Sequence, residues 1–147
     1  MADPAIDFGI DLETIRARVD ELTGFNSTGD IQTASQVVDG SLGFVPPAAF
    51  VSIANEGFGP NAYSSGGFRQ RSTVLISVLY CIPVERIDGE LTDQVDEFKK
   101  LVLAQLAGWT PGGAEKALEA YRYSIRLNEN GFVWPEWLFR TSYQFIK

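Results

Sequence analysis

Glu85, Asp88 and Glu90 stand close enough in the chain to suggest the paired carboxylates of glycoside hydrolysis. That chemistry needs one acid in a pocket that raises its pKa, so that it donates a proton while its partner stays ionised. A polar bend ahead of a helix offers no such pocket, and 19 acids in 147 residues produce clusters by chance. Asp3, Asp7 and Asp11 recur every four residues, but Pro4 breaks the helix that would align them. No ligand of another type stands beside them, so residues 1–10 are expected to be a solvated acidic lead rather than a metal site.

The chain has no histidine. Ser–His and Cys–His nucleophile pairs and imidazole metal sites are therefore excluded. Cys81 lies in the middle of an apolar run, where a buried, inert thiol is expected. No segment carries the alternating Asp/Asn loop of a calcium hand. Gly57-Phe58-Gly59 and Gly66-Gly67 lack both a strand-to-helix setting and a Gly-Lys-Ser/Thr sequence, so they make a poor phosphate cradle. No catalytic residue, cofactor or metal is expected, and no enzyme.

Elements with clear periodicity surround these residues. Leu12, Ile15, Val19 and Leu22 fall at helical spacing over Asp11 to Leu22, and Gly24 follows as a stop. Residues 24–43 read as mostly loop, with room for a short helical turn around Ile31 to Val38. Ala48 to Ala54 reads as a short strand. Gly57 to Gly67 holds four Gly and a Pro in eleven residues, and reads as a flexible loop at a mobile tip. Within and beside it, Phe58, Pro60, Asn61, Tyr63 and Phe68 are candidate docking residues, the aromatic ones serving as apolar anchors for a partner.

Arg69 to Ile82 is the longest strand and is apolar on both faces, with Val74, Ile76, Val78 and Tyr80 opposite Leu75, Leu79 and Cys81. Such a strand belongs in the middle of a sheet with helices on at least one side. A second helix, capped at Thr92 or Asp93, supplies the cover. Leu91, Val95, Phe98, Val102 and Leu106 form its stripe, widened by Leu101 and Leu103; Gly108 stops it and Pro111 prevents resumption.

The last element is a hairpin. Tyr121, Tyr123, Ile125 and Leu127 alternate with Arg122, Ser124 and Arg126. After Asn128-Glu129-Asn130-Gly131, Trp137, Phe139, Tyr143 and Phe145 alternate with Arg140, Ser142 and Gln144. Trp137 is expected in the core, Trp109 under the sheet, and Trp134 partly exposed. The order helix, strand, strand, helix, strand, strand defines an α+β single domain over residues 1–147. Its sheet is mainly antiparallel or mixed, of about four strands, with two principal helices packed on it.

A chain of 147 residues buries enough surface to fold without staples. One cysteine, no secretory signal and no long apolar run are the pattern expected of a soluble protein made in a reducing cytoplasm. Charge is unevenly spread. The net charge is −7, and the first forty residues hold eight acids against two bases. Such a surface repels nucleic-acid phosphates, so direct DNA binding is not expected.

Along most of its length this order resembles the tail terminator (tail completion) proteins of long-tailed bacteriophages. The matching features begin with the helix carrying Ile15 to Val19, the strand at Pro47-Ala48-Ala49-Phe50-Val51, the Gly/Pro/Asn loop and the strand Thr73 to Cys81. The helix ending Leu106-Ala107-Gly108-Trp109-Thr110-Pro111 and the Trp-rich hairpin are the most distinctive. The acidic, Pro-containing lead departs from the pattern.

The resemblance implies a structural virion protein of the tail or neck, assembled in the host bacterial cytoplasm. It implies a homo-oligomer, a hexameric ring that caps the head-proximal end of the tail tube and ends its polymerisation. The tail tube protein and a head-side connector or stopper are the implied partners, and genomic DNA would pass through the negatively charged ring without specific binding. Two alternatives stand beside it: another neck or head-completion protein, and a small carbohydrate-binding module using exposed Trp faces.

Overall fold

The computed structural model describes residues 9–22, 27–29, 47–63, 66–83, 88–129 and 131–147. Its elements in order are α1 (Leu12–Asp20), β1 (Ser27–Gly29), β2 (Ala48–Phe58), β3 (Arg69–Pro83), α2 (Asp88–Leu106), β4 (Glu119–Glu129) and β5 (Phe132–Ile146). The strands form one sheet in the order β1-β2-β3-β5-β4. Four long strands pair antiparallel, and β1 adds to β2 in parallel. The α+β expectation holds, with β3 central as its two apolar faces require.

The helices cover one face. Ile15 and Val19 of α1, with Phe98, Val102 and Leu106 of α2, close over Ala49, Val51, Val74, Ile76, Val78, Tyr80, Trp137 and Phe139. All thirteen are buried because helical spacing on one side meets every second residue of the strands on the other. Aromatic rings lock this layer. Trp137 stacks on Phe139 at 5.5 Å between centroids, Tyr80 meets Phe98 edge-on at 5.9 Å, and Trp137 Nε1 donates to the Lys99 carbonyl at 3.1 Å.

Asp11 caps α1, its carboxylate accepting from the Glu13 amide at 3.1 Å. The entry to α1 is tied to the turn before β4, where the Asp11 amide donates to the Gly112 carbonyl at 2.9 Å. Gly113 there has φ +85°, and a Cβ at that position would lie 2.0 Å from the Gly9 carbonyl oxygen. Only glycine fits so close a backbone approach.

Several boundaries differ from the sequence expectation. β1 lies inside the stretch expected to be loop, because Ser27 to Gly29 borrow the ladder of Ala48 to Phe50. β2 runs on past Ala54 through Gly57 and Phe58, which pair with Thr73 and Ser72 of β3, so the irregular segment starts at Gly59. α2 begins at Asp88, which places Thr92 and Asp93 inside the helix rather than at its cap. Trp134 is buried rather than partly exposed, packed against Phe50 and Phe132 at 6.3 Å each. The suggested turn at Ile31 to Val38, Asp3 and Asp7 of the acidic lead, and Glu85 lie outside the described residues.

Candidate functional site

The face of the sheet away from the helices is chemically divided. At one end Ala48, Phe50, Cys81 and Trp134 form a second small apolar cluster. At the other end, alternation places Arg69 and Arg71 of β3 beside Ser142 and Gln144 of β5, and Arg140 one step further along β5. Glu115, in the turn before β4, ties these strands together. Its Oε1 accepts from Arg71 Nε at 2.5 Å and from Ser142 Oγ at 2.8 Å, and its Oε2 accepts from Gln144 Nε2 at 2.7 Å. Gln144 Oε1 in turn accepts from Arg69 Nε. Burial pulls the Glu115 pKa upward, but the hydrogen bonds from Arg71, Ser142 and Gln144 outweigh it and hold the carboxyl below its ordinary value. A carboxylate with three donors already in place is a structural acceptor.

Two shallow cavities flank Arg71. One, of about 240 Å³, is lined by Thr73, Lys116, Glu119, Arg140 and Ser142 as well as Arg71. The other, of about 400 Å³, lies between Arg69, Arg71 and Gln144 on one side and Gly59, Pro60 and Ala62 on the other. Both are open concavities that suit contact with another surface, the smaller one the more polar and the larger one the more apolar.

The candidate docking residues divide in the same neighbourhood. Phe58 ends β2 with 57% of its surface exposed, and Tyr63 is also exposed. Pro60 lines the larger cavity. Asn61 points back into its own loop, where Oδ1 accepts from the Tyr63 amide at 3.2 Å and the Arg69 amide at 2.9 Å. Phe68 turns inward against Phe145, ring to ring at 5.5 Å. The loop thus presents Phe58, Pro60 and Tyr63, while Asn61 and Phe68 hold its base.

Sequence reasoning missed two groups. Arg140 is legible in the sequence on one strand face with Ser142 and Gln144, but its meeting with Arg69 and Arg71 across the sheet is not. Tyr121 was placed on the apolar side of its strand. The β4–β5 register shifts between Ala120 and Arg122, and Tyr121 leaves the core to lie under Arg140, whose guanidinium sits 5.6 Å from its ring centre.

Other groups occupy structural positions. The Cys81 thiol is fully buried, and burial pushes its pKa up to about 12. Among the described residues no cluster of His, Cys, Asp and Glu could hold a metal ion. Trp134 and Trp137 are buried and Arg18 lies 4.7 Å over Trp109, so the Trp platform required by the carbohydrate-binding alternative is not exposed. Among the described residues no helix is long and apolar enough to cross a membrane.

What this arrangement offers is surface: one face sealed by helices, one carrying arginines and open cavities at one end, and exposed rings at Phe58 and Tyr63. It defines a small α+β structural domain. The family model for the phage tail terminator protein matches residues 1–147, and the chain belongs to that family of structural virion proteins. It is similar in fold to a chain from the virion of a native gene transfer agent particle. That similarity has a TM-score of 0.54 and 14% identity over 92% of this chain and 96% of the other. No curated protein matches the chain.

Proposed function

We propose that this chain forms a ring, of six copies, on the head-proximal end of a phage tail tube. The ring ends tube polymerisation and presents a surface to the head-side connector. The chain acts by shape and contact rather than by catalysis. Its partners are further copies of itself, the tail tube protein and the connector, and it assembles in the host cytoplasm and stays in the tail or neck of the virion. The observation that carries this reading is the match to the tail terminator family over residues 1–147. The net charge of −7 per chain supports a negative channel through which DNA passes without adhering.

Within that role the loop from Gly59 to Phe68 is a docking element, with Phe58, Pro60 and Tyr63 as its contact residues and Asn61 and Phe68 as its supports. Negative-stain imaging of the purified protein, alone and mixed with unterminated tail tubes, tests the proposal. Rings seated on tube ends are expected; bare tube ends beside monomeric protein would refute it. Replacing the loop by a four-residue turn should abolish capping while leaving the thermal midpoint nearly unchanged. Normal capping by the shortened protein would reduce the loop to a connection.

A further inference from the structure

Among the described residues the sheet has two open edges. β4 is the last strand on one side, and among the described residues nothing pairs with its outer ladder over eleven residues. On the other side β1 covers only Ala48 to Phe50, which leaves β2 unpaired outwardly from Val51 to Phe58 among the described residues. An unpaired strand edge is a row of backbone donors and acceptors that another strand satisfies.

Exposed apolar side chains collect on the same two strands. Of the six large hydrophobic residues exposed among the described residues, Ile53 (41%) and Phe58 (57%) lie on β2, and Tyr121 (52%) and Ile125 (42%) on β4. Single exposed hydrophobic residues need no explanation, but their concentration on both outer strands of one sheet does.

Strand direction says which occupant fits. β3 runs antiparallel to β2, β5 to β3 and β4 to β5, so β4 runs opposite to β2. When copies repeat head to tail around an axis along the strands, β4 of each copy meets β2 of the next in antiparallel sense. The open lengths also correspond, eight residues facing eleven. Irregularities restrict the pairing: register shifts fall between Ile53 and Asn55 on β2, and between Ala120 and Arg122 and between Arg126 and Glu129 on β4. Regular ladder remains at Asn55 to Phe58 and at Arg122 to Arg126, so a partner strand has a short, defined landing site rather than a long sticky edge.

We propose that β4 of one copy adds to β2 of the next, so that subunits join through a continuous antiparallel sheet. This rests on the ring reading above and specifies its contact. It is a heterologous interface, the kind that closes into a ring when the rotation per step divides a full turn. Ile125 of one subunit would be covered at the seam by Ile53 and Phe58 of its neighbour, all three in the helix-side register, while Tyr121 would meet the seam from the arginine side.

Cysteine trapping tests it in the full-length chain, because the native Cys81 is buried and stays silent. Ser124→Cys is combined in turn with Ala54→Cys, Asn55→Cys and Gly57→Cys, and each protein is oxidised in the presence of tail tubes. At least one pair should give a ladder of disulfide-linked oligomers on a non-reducing gel, while each single variant stays monomeric. Rings in the wild type with no ladder from any pair would overturn the seam and leave the ring reading intact. Dimers from Ser124→Cys alone would also overturn it, since they report β4 meeting β4 about a twofold axis. A ladder without wild-type rings would sustain the seam and refute the ring. Separately, Ile125→Lys and Phe58→Lys, both at exposed positions, should keep the wild-type thermal midpoint and weaken each subunit contact roughly tenfold. Unchanged assembly by both would count against the seam.

Discussion

The two faces of the sheet are built from the same four long strands yet behave as different materials. On the helix side every second residue of β3, from Val74 through Ile82, is sealed into a single apolar cluster. On the other side the same strand passes from Cys81, in a small apolar patch, through Ser77, whose hydroxyl donates to Glu136 at 2.6 Å, to Arg71 bound to Glu115. A closely packed interior loses stability with each missing methylene, whereas an open polar network exchanges its partners with water. Most of the buried apolar packing therefore lies on the helix side, and the arginine end of the opposite face and the outer edges are left to serve contact.

Substitutions on the two sides should differ accordingly. The largest loss is expected from Phe139→Ala, which empties a fully buried ring site against Trp137 and should cost about 3–5 kcal/mol in urea unfolding. A loss below about 1 kcal/mol would erase the contrast between the faces. Gly113→Ala should cost roughly 1–3 kcal/mol, because its Cβ would collide with the Gly9 carbonyl and its φ is positive. Thermal melts would show whether the junction between the α1 entry and the turn before β4 is as tight as that geometry implies.

Cys81→Ser examines the small apolar patch and should cost about 1–3 kcal/mol by placing a hydroxyl where the thiol is fully buried. A thiol reagent near neutral pH should label Cys81 only after denaturant is added. Rapid labelling of the native protein would show that this patch opens.

The smallest effect should come from Glu115. Its pKa is lowered in the folded chain, so its contribution is fully present above the ordinary carboxylate value and fades as pH falls through the lower folded value. The urea midpoint of Glu115→Gln should therefore lie slightly below wild type near neutrality and converge with it in acid. A constant gap across that range would mean the charge contributes nothing and the substitution acts by shape.

Much of this architecture was legible in the chain because it rests on local periodicity. The two-sided apolar run of β3, the stripe from Val95 to Leu106 and the alternation around Gly131 each need only neighbours in sequence. What escaped depends on distant partners. Ser27 to Gly29 have no apolar signature and become a strand only beside Ala48 to Phe50. Gly57 and Phe58 look like the start of a loop until the ladder of β3 extends them. Asp88 begins a helix across Gly89, where local propensity argues for a later start. Tyr121 keeps strict alternation in the sequence but crosses to the arginine side at a register shift. Of the candidate docking residues, Phe58 and Tyr63 are exposed, whereas the inward turn of Phe68 depends on Phe145 at the far end of β5.

The central claim, that this chain stops tube growth by capping one end, is tested most directly by following tube length over time. Purified tail tube protein would be polymerised and the full-length chain added during growth, with lengths measured by electron microscopy at intervals. Elongation is expected to stop at the capped ends as the protein becomes equimolar with them in ring units, and lengths should then stay constant. Continued growth at the original rate, with the added protein left in solution, would contradict the account.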